Sequence, residues 1–138
     1  MPENTQKYTN HTKEEIDEYL RKVKSCIKRG RFKVEDNDKR KENKEFIRKY
    51  RLTFRKQREM LLAVETIDFC YSADDYKTGN RLYFFTKEYE LDDWGIKCNV
   101  LVYIKIELKE NDFVVVISFH EPRKRIKKLF IKECDWYE

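Results

Sequence analysis

The sequence lacks a long apolar stretch. No hydrophobic run approaches the roughly 18–20 residues needed to cross a bilayer, although 40% of the 138 residues are hydrophobic. The first residues, from Met1 to Asn4, are polar and do not resemble the apolar region of a signal peptide. We therefore expect a soluble, cytoplasmic protein that is neither secreted nor associated with a membrane.

Metal ligands at useful spacings are also scarce. The cysteines are widely separated, no pair forms a Cys-x-x-Cys motif, and His11 and His120 are the two histidines. The cysteines are Cys26, Cys70, Cys98 and Cys134. We predict no metal site and no cofactor, and we interpret Cys26 and Cys70, which have apolar neighbours, as small core residues with reduced thiols.

The length of the chain favours one domain with one core. A chain of 138 residues can bury about two thirds of the surface that it exposes when unfolded. We predict a single domain over residues 1–122 and a basic amphipathic C-terminal extension over residues 123–138. The extension could dock on the domain, hold a protein partner or dimerise, and the sequence leaves these alternatives open.

Positive charge is concentrated in two segments of a chain whose net charge is +5. Residues 39–58 contain ten basic residues against two acidic ones, and residues 123–128 form a second basic run. Basic surfaces of this kind favour a polyanion as partner, but solvated helix faces would give the same pattern. The predicted RNA-binding residues are Arg48, Lys49, Arg51, Arg55, Arg123 and Arg125.

The first half of the chain carries helical patterns. Thr12 and Glu15 form a capping box, and Gly30 is placed to end the helix that follows. Further helices are predicted over residues 44–50 and 54–64. Apolar residues at helical spacing in the first helix are Ile16, Leu20, Val23 and Ile27.

The segments around these helices are predicted to be short connections. Residues 32–34 alternate like a brief extended piece, and residues 35–43 look too polar to be buried. Ser72 is placed to cap a short helical turn.

The second half of the chain has the alternation of strands. Residues 81–89 predict one strand, residues 91–98 a connection, and residues 102–106 and 114–120 a hairpin that turns near Asn111 and Asp112. Phe84 and Phe85 would point to opposite faces, so the helices bury at most one of them. The predicted fold is α+β, with N-terminal helices packed on a small C-terminal antiparallel sheet.

The order of these motifs resembles the MqsR-like family of toxin mRNA interferases, which belongs to the RelE-like group of toxin–antitoxin systems. The resemblance runs from about His11 to His120. The residues that carry it are His11-Thr12 before the first helix, Asp74-Asp75-Tyr76-Lys77, Lys87 in an aromatic strand, Val102-Tyr103-Ile104-Lys105-Ile106, and Ile117-Ser118-Phe119-His120-Glu121.

This resemblance implies a RelE-like fold and a ribonuclease that cuts single-stranded mRNA without a metal. The ribose 2′-hydroxyl is then the nucleophile, so the protein supplies only proton transfer and charge stabilisation. The resemblance also implies a cognate antitoxin that neutralises the enzyme and is often a zinc-ribbon and helix-turn-helix protein.

The catalytic roles follow from matching positions. Because histidine titrates near neutral pH, His120 is the predicted proton-transfer residue, although some family members carry lysine there. Tyr103 would donate a hydrogen bond or act as the acid, while Lys77 and Lys87 would stabilise charge on the phosphorane. Lys105 follows Tyr103 by two residues, so both should share one face of the sheet and Lys105 could join the site.

Two other classes of function stay open at this point. The same basic residues would suit a non-catalytic RNA- or DNA-binding module, or an adaptor that contacts only proteins. A structure discriminates catalysis from binding, because catalysis requires Tyr103, Lys77 and His120 to reach one phosphate. Binding that hardly changes with salt would support the adaptor.

Overall fold

The computed structural model describes residues 7–131 and contains three α-helices and one six-stranded sheet. The helices are α1 (Lys13–Lys28), α2 (Lys41–Lys49) and α3 (Phe54–Leu62). The strands are β1 (Lys7–Tyr8), β2 (Phe32–Val34), β3 (Phe69–Asp74), β4 (Arg81–Asp93), β5 (Ile96–Lys109) and β6 (Phe113–His120). None of the helices formed by residues 7–131 has the length and apolar character that a bilayer crossing requires.

The strand order is β1-β3-β4-β5-β6-β2, and every pair is antiparallel except β2 with β6. The mixed α+β class is therefore confirmed. The expected succession of helices and then strands is only partly right, because β1 precedes α1 and β2 separates α1 from α2. Strand β2, which follows α1, thus adds a parallel edge to an otherwise antiparallel sheet.

Local sequence signals account for the helix ends. The side chain of Thr12 accepts a hydrogen bond from the backbone N–H of Glu15, and the Glu15 carboxylate accepts one from the backbone N–H of Thr12. Gly30 adopts φ +76° just after α1, which is the left-handed conformation that glycine tolerates. The side chain of Thr53 caps α3 by accepting a hydrogen bond from the backbone N–H of Lys56.

The helices cover one face of the sheet and leave the other to a smaller cluster. The main core joins buried residues of all three helices to strand residues such as Phe85, Ile104 and Phe119. A second cluster on the opposite face holds Phe84 and contains no helical residue. Phe84 is as buried as Phe85, at 4% and 0% exposure, because strand residues rather than helices cover it.

The polar segment over residues 35–43 is more ordered than predicted. A 3₁₀ turn spans Asp38–Arg40, and α2 begins at Lys41 rather than Lys44. Asn43 is buried, and its side-chain amide donates to the carbonyls of Glu35 and Ile117 at 2.7 and 2.9 Å. Its side-chain oxygen accepts from the N–H of Phe119 at 2.8 Å, so the nitrogen and the oxygen of the buried amide both have protein partners.

Two further predictions in the second half of the chain are wrong. Ser72 does not cap a helix but lies fully buried in β3, where its hydroxyl bonds to His11 and Arg81. Residues 91–98 are not an irregular connection, because β4 and β5 continue to a two-residue turn at Trp94 and Gly95. Both turn residues have positive φ, at 54° and 94°, as a type I′ hairpin requires.

The beginning of the predicted C-terminal extension packs against the domain. Lys128 Nζ lies 3.1 Å from a carboxylate oxygen of buried Asp68, and the N–H of Leu129 donates to the carbonyl of Phe69. The ring of Phe130 contacts that of Phe69. Of the alternatives for the extension, docking on the domain therefore applies as far as Phe130, while residues 132–138, including Cys134 and Trp136, lie outside the described range.

Candidate active site

Tyr103 on β5 and His120 on β6 are direct partners in the antiparallel register. Their ring centroids are 5.6 Å apart, and both side chains lie on the sheet face opposite the helices. A bulge that follows the Lys105–Ser118 pair adds Ile117 to β6. The register of the hairpin therefore brings together two residues that are 17 positions apart in the chain.

The hydrogen bonding of His120 defines which ring nitrogen can act as a base. Nδ1 lies 2.8 Å from the carbonyl oxygen of Glu121, and because a carbonyl only accepts, Nδ1 carries the proton. In the neutral ring Nε2 then holds the free electron pair. A carboxylate oxygen of Glu42 lies 3.9 Å from Nδ1. Nε and Nη2 of Arg123 each donate a hydrogen bond to the Glu42 carboxylate.

Tyr103 is a proton donor at neutral pH. Burial raises its pKa, and the neighbouring Tyr71 raises it further. The Tyr71 ring stacks on Phe84 at 4.3 Å, and Phe84 in turn contacts the ring of Tyr103 at 6.0 Å. The rings of Tyr71, Phe84 and Tyr103 therefore form a row, and the Tyr103 hydroxyl is protonated at neutral pH.

Lys105 is a half-buried cation next to this row. It pairs with Phe84 across the β4–β5 ladder, and its Nζ lies 5.4 Å from the centroid of that ring. None of the ion pairs formed among residues 7–131 includes Lys105. Burial lowers its pKa, Arg40 lowers it further, and Asp75 opposes both. A partly desolvated lysine without an ion-pair partner is costly and is typical of functional sites.

Lys105 borders a cavity of about 270 Å³ on the open face of the sheet. Its floor is apolar, and its rim carries Lys77 and Arg40. The floor residues are Ala73, Leu82, Phe84 and Ile117. Lys77 is exposed, and its N–H donates to the Asp75 carboxylate in the turn between β3 and β4.

A second cavity of about 510 Å³ continues from the first. Arg40 and Ile117 line both cavities, and the second is also bordered by Ser118, His120 and Arg123. We call the two together the basic groove. Lys77, Lys105 and Arg40 line it together with carboxylates that include Asp74, Asp75 and Glu42. Arg40 also pairs with Glu35 at 3.2 Å.

The remaining predicted catalytic lysine is on the other side of the sheet. Lys87 pairs with Val102, which belongs to the main core, and so faces the helices. Its Nζ lies 3.3 Å from carboxylate oxygens of both Glu65 and Asp68. The structure therefore does not bring Lys87 together with Tyr103, Lys105 and His120.

Most of the predicted RNA-binding residues lie away from the basic groove. Arg48 is exposed on α2, Arg51 stacks on Trp94 at 4.6 Å, and Arg55 pairs with Glu59 on α3. Arg123 borders the basic groove and also lines, with Lys49 and Arg125, a separate groove beside the start of β5. Lys49 and His120 also share a small cavity of about 220 Å³.

Sequence reasoning did not single out Arg40 or Tyr71 as site residues. Arg40 belongs to the basic segment over residues 39–58, but ten cations in that segment cannot be ranked without knowing where the chain turns back onto β6. Tyr71 lies on β3, which the sequence did not predict as a strand.

Comparison with known proteins gives no relative: no protein-family model matches the chain, and no curated protein matches its sequence.

The chemistry available on this face is proton transfer combined with anion stabilisation. His120, the strand partner of Tyr103, borders one cavity of the basic groove, Lys77 and Lys105 border the other, and Arg40 borders both. No cluster of three or more potential metal-ligating His, Cys, Asp or Glu side chains occurs within residues 7–131. A phosphodiester is a substrate that suits this combination.

Proposed function

We propose that the protein is a metal-independent endoribonuclease that cleaves single-stranded mRNA in the basic groove. The observation that supports this proposal is the pairing of His120 with Tyr103 beside Lys105, a cation without an ion pair among residues 7–131. Single-stranded RNA fits an open groove with aromatic side chains better than duplex RNA, because its bases are free to stack.

In the proposed reaction the substrate supplies the nucleophile. Nε2 of His120 accepts the proton of the ribose 2′-hydroxyl, and the 2′-oxygen forms a bond to the adjacent phosphorus. The bond from phosphorus to the 5′-oxygen breaks, and the hydroxyl of Tyr103 donates a proton to that leaving oxygen. The products are a 2′,3′-cyclic phosphate and a free 5′-hydroxyl, and this step consumes no water.

The cations have a separate task. Lys105 would stabilise the negative charge that grows on the non-bridging phosphate oxygens, where a partly desolvated cation acts strongly. Exposed Lys77, and Arg40 on leaving its partner Glu35, would add to this effect. Lys87 has no part in this scheme, since its charge is used by Glu65 and Asp68.

The resemblance to MqsR-like interferases adds a biological role to the proposal. On that basis the protein is a toxin of RelE-like fold that acts in the cytoplasm and is silenced by a cognate antitoxin. The motif over residues 117–121 lies at the end of β6 and contributes His120 to the proposed site.

The proposal is tested by incubating the full chain with a long single-stranded RNA in EDTA and measuring the cleavage rate. Tyr103→Phe, His120→Gln and Lys105→Gln should each slow cleavage by roughly 10²- to 10⁴-fold, the usual contribution of a proton-transfer or charge-stabilising group. Lys33→Gln is the matched control for Lys105→Gln, because Lys33 is exposed on the edge strand β2 and lines neither cavity of the basic groove.

Three outcomes would contradict the proposal. The first is RNA that stays intact although the parent protein retards it in a salt-sensitive way, which would indicate a binding module. The second is cleavage that EDTA abolishes. The third is cleavage that survives all three substitutions.

A further inference from the structure

Strand β5 extends well beyond its partner β6. The β5–β6 register ends at Tyr103 and His120, whereas β5 begins at Ile96. Residues 96–102 are paired with β4 on one side only. A stretch of about seven residues therefore presents a sheet edge that no strand within residues 7–131 covers.

The hairpin turn determines which main-chain groups face this edge. Asp93 and Ile96 flank the two-residue type I′ turn, so they form a hydrogen-bonded pair with their N–H and C=O groups directed at each other. Because the direction alternates along a strand, Lys97, Asn99 and Leu101 direct their N–H and C=O groups away from β4. Within the described part of the chain, these groups have no main-chain partner.

The free edge forms one wall of a groove of about 700 Å³. The opposite wall is the segment that follows β6, together with the end of α2. Residues 98–101 and 121–125, with Lys49 and Tyr50, line this groove. An unpaired edge of this length is a ready template for a further strand, and proteins usually cover it.

The charge of the groove indicates what would cover it. Its lining contains four basic residues, Lys49, Arg123, Lys124 and Arg125, against one acidic residue, Glu121. Glu42 offsets Arg123, and the Glu121 carboxylate is engaged by the hydroxyl of Tyr50. Lys49 and Lys124 therefore add positive charge beside the extended edge.

We propose that the β5 edge over residues 96–102 binds an extended acidic segment of a partner protein, which adds to the sheet as a seventh strand. Main-chain hydrogen bonds to Lys97, Asn99 and Leu101 would supply affinity, and the basic wall would select acidic side chains. A second copy is a poorer occupant, because pairing two β5 edges would bring two basic walls together. This inference does not depend on the proposed ribonuclease activity.

The test uses the full-length protein and a capped seven-residue peptide of alternating valine and glutamate. Binding is followed by NMR, through the amide signals and the hydrogen exchange of Lys97, Asn99 and Leu101. We expect saturable binding that slows exchange at these three amides. A peptide of alternating valine and lysine should bind at least about tenfold more weakly, a difference of roughly 1.4 kcal/mol.

Two variants and one modified peptide address the edge itself. Asn99→Pro removes an N–H that faces away from β4 and should abolish binding, whereas Asn99→Ala should not. Lys124→Glu should weaken binding of the acidic peptide and leave that of the lysine peptide unchanged or stronger. If Asn99→Pro does not fold, the acidic peptide with N-methylated valines gives the same test on the unaltered protein and should not bind.

Several results would overturn the inference. These are equal binding of the acidic and lysine peptides, binding of the N-methylated peptide, and protection of the three amides that rises with protein concentration alone, which would make a second copy the occupant. Displacement of the peptide by a single-stranded oligoribonucleotide would assign the groove to RNA instead.

Discussion

At the scale of single residues, alternation along a strand is the sequence signal that performs best. It correctly put Tyr103 and Lys105 on one face, and the same parity puts Lys87 with Phe85 on the helix-covered face. The neighbourhood of Tyr103 and His120 could not be derived in this way, because it depends on the register of β6 and on the bulge at Ile117.

Asn43 is the residue whose role the sequence hides most completely. We expect Asn43→Ala to lower the free energy of unfolding by about 3 kcal/mol, because it leaves buried backbone groups of Ile117 and Phe119 without partners. Urea denaturation monitored by circular dichroism measures this change. Glu45→Ala, at an exposed site on the same helix, should change stability by less than about 0.5 kcal/mol, and equal effects of the two would contradict the account.

We expect Lys105 to lower the stability of the fold while it supports cleavage. Because burial lowers its pKa below the ordinary 10.5, the folded protein binds this proton less tightly than the unfolded chain does. The charged lysine therefore costs stability at neutral pH, and this cost disappears as the pH rises from the lowered pKa to 10.5.

The substitution Lys105→Met should accordingly stabilise the fold by about 1 kcal/mol at pH 7 while cleavage is lost. The difference in stability between the variant and the parent should shrink as the pH is raised towards 10.5. Urea titrations at a series of pH values give this difference. A variant that is less stable than the parent, or a difference that grows with pH, would count against the burial of an unpaired charge.

Lys87 separates structural from catalytic lysines. The substitution Lys87→Gln should destabilise the protein by about 2 kcal/mol, since the carboxylate of Asp68, of which 4% is exposed, loses one of its two lysine partners. The rate of RNA cleavage at saturating substrate should not change, because the side chain is on the helix side of the sheet. A large loss of rate with unchanged stability would return Lys87 to the active site.

At the scale of elements, the helices were predicted well and the strands only in part. Caps and 3.6-residue periodicity are local signals, so α1 and α3 begin where Thr12 and Thr53 indicate. The strand β3 was missed because Ser72 and Asp74 look like turn residues, although Ser72 is buried and bonds to His11 and Arg81, and Arg81 also pairs with Asp74. The tip of the β4–β5 hairpin was missed because charged residues dominate it.

The cap of α1 offers a direct test at this scale. The substitution Thr12→Ala should lower the free energy of unfolding by about 1 kcal/mol, because the N–H of Glu15 loses its acceptor. Thr9→Ala is the matched control, since Thr9 is exposed and precedes the helix. Thermal unfolding compares the two, and a Thr12→Ala variant as stable as the Thr9→Ala variant would contradict the capping assignment.

At the scale of the whole molecule, the two faces of the sheet have different surroundings. The helices bury one face, and the start of the C-terminal segment anchors at Asp68 and Phe69. The opposite face keeps its aromatic row and cations open in the basic groove. The sequence could predict the mixed α+β class and the placement of Tyr103 and Lys105 on one sheet face, but not which of its many basic residues meet at the groove, because that depends on long-range topology.

The most direct measurement of the central claim is an end-group analysis of RNA that the full chain has cut in EDTA. The account predicts fragments with 2′,3′-cyclic phosphate and 5′-hydroxyl ends, an intact DNA control of the same sequence, and loss of the fragments in a Tyr103→Phe, His120→Gln double variant. Fragments with 5′-phosphate ends, cleavage of the DNA, or unchanged cutting by the double variant would contradict it.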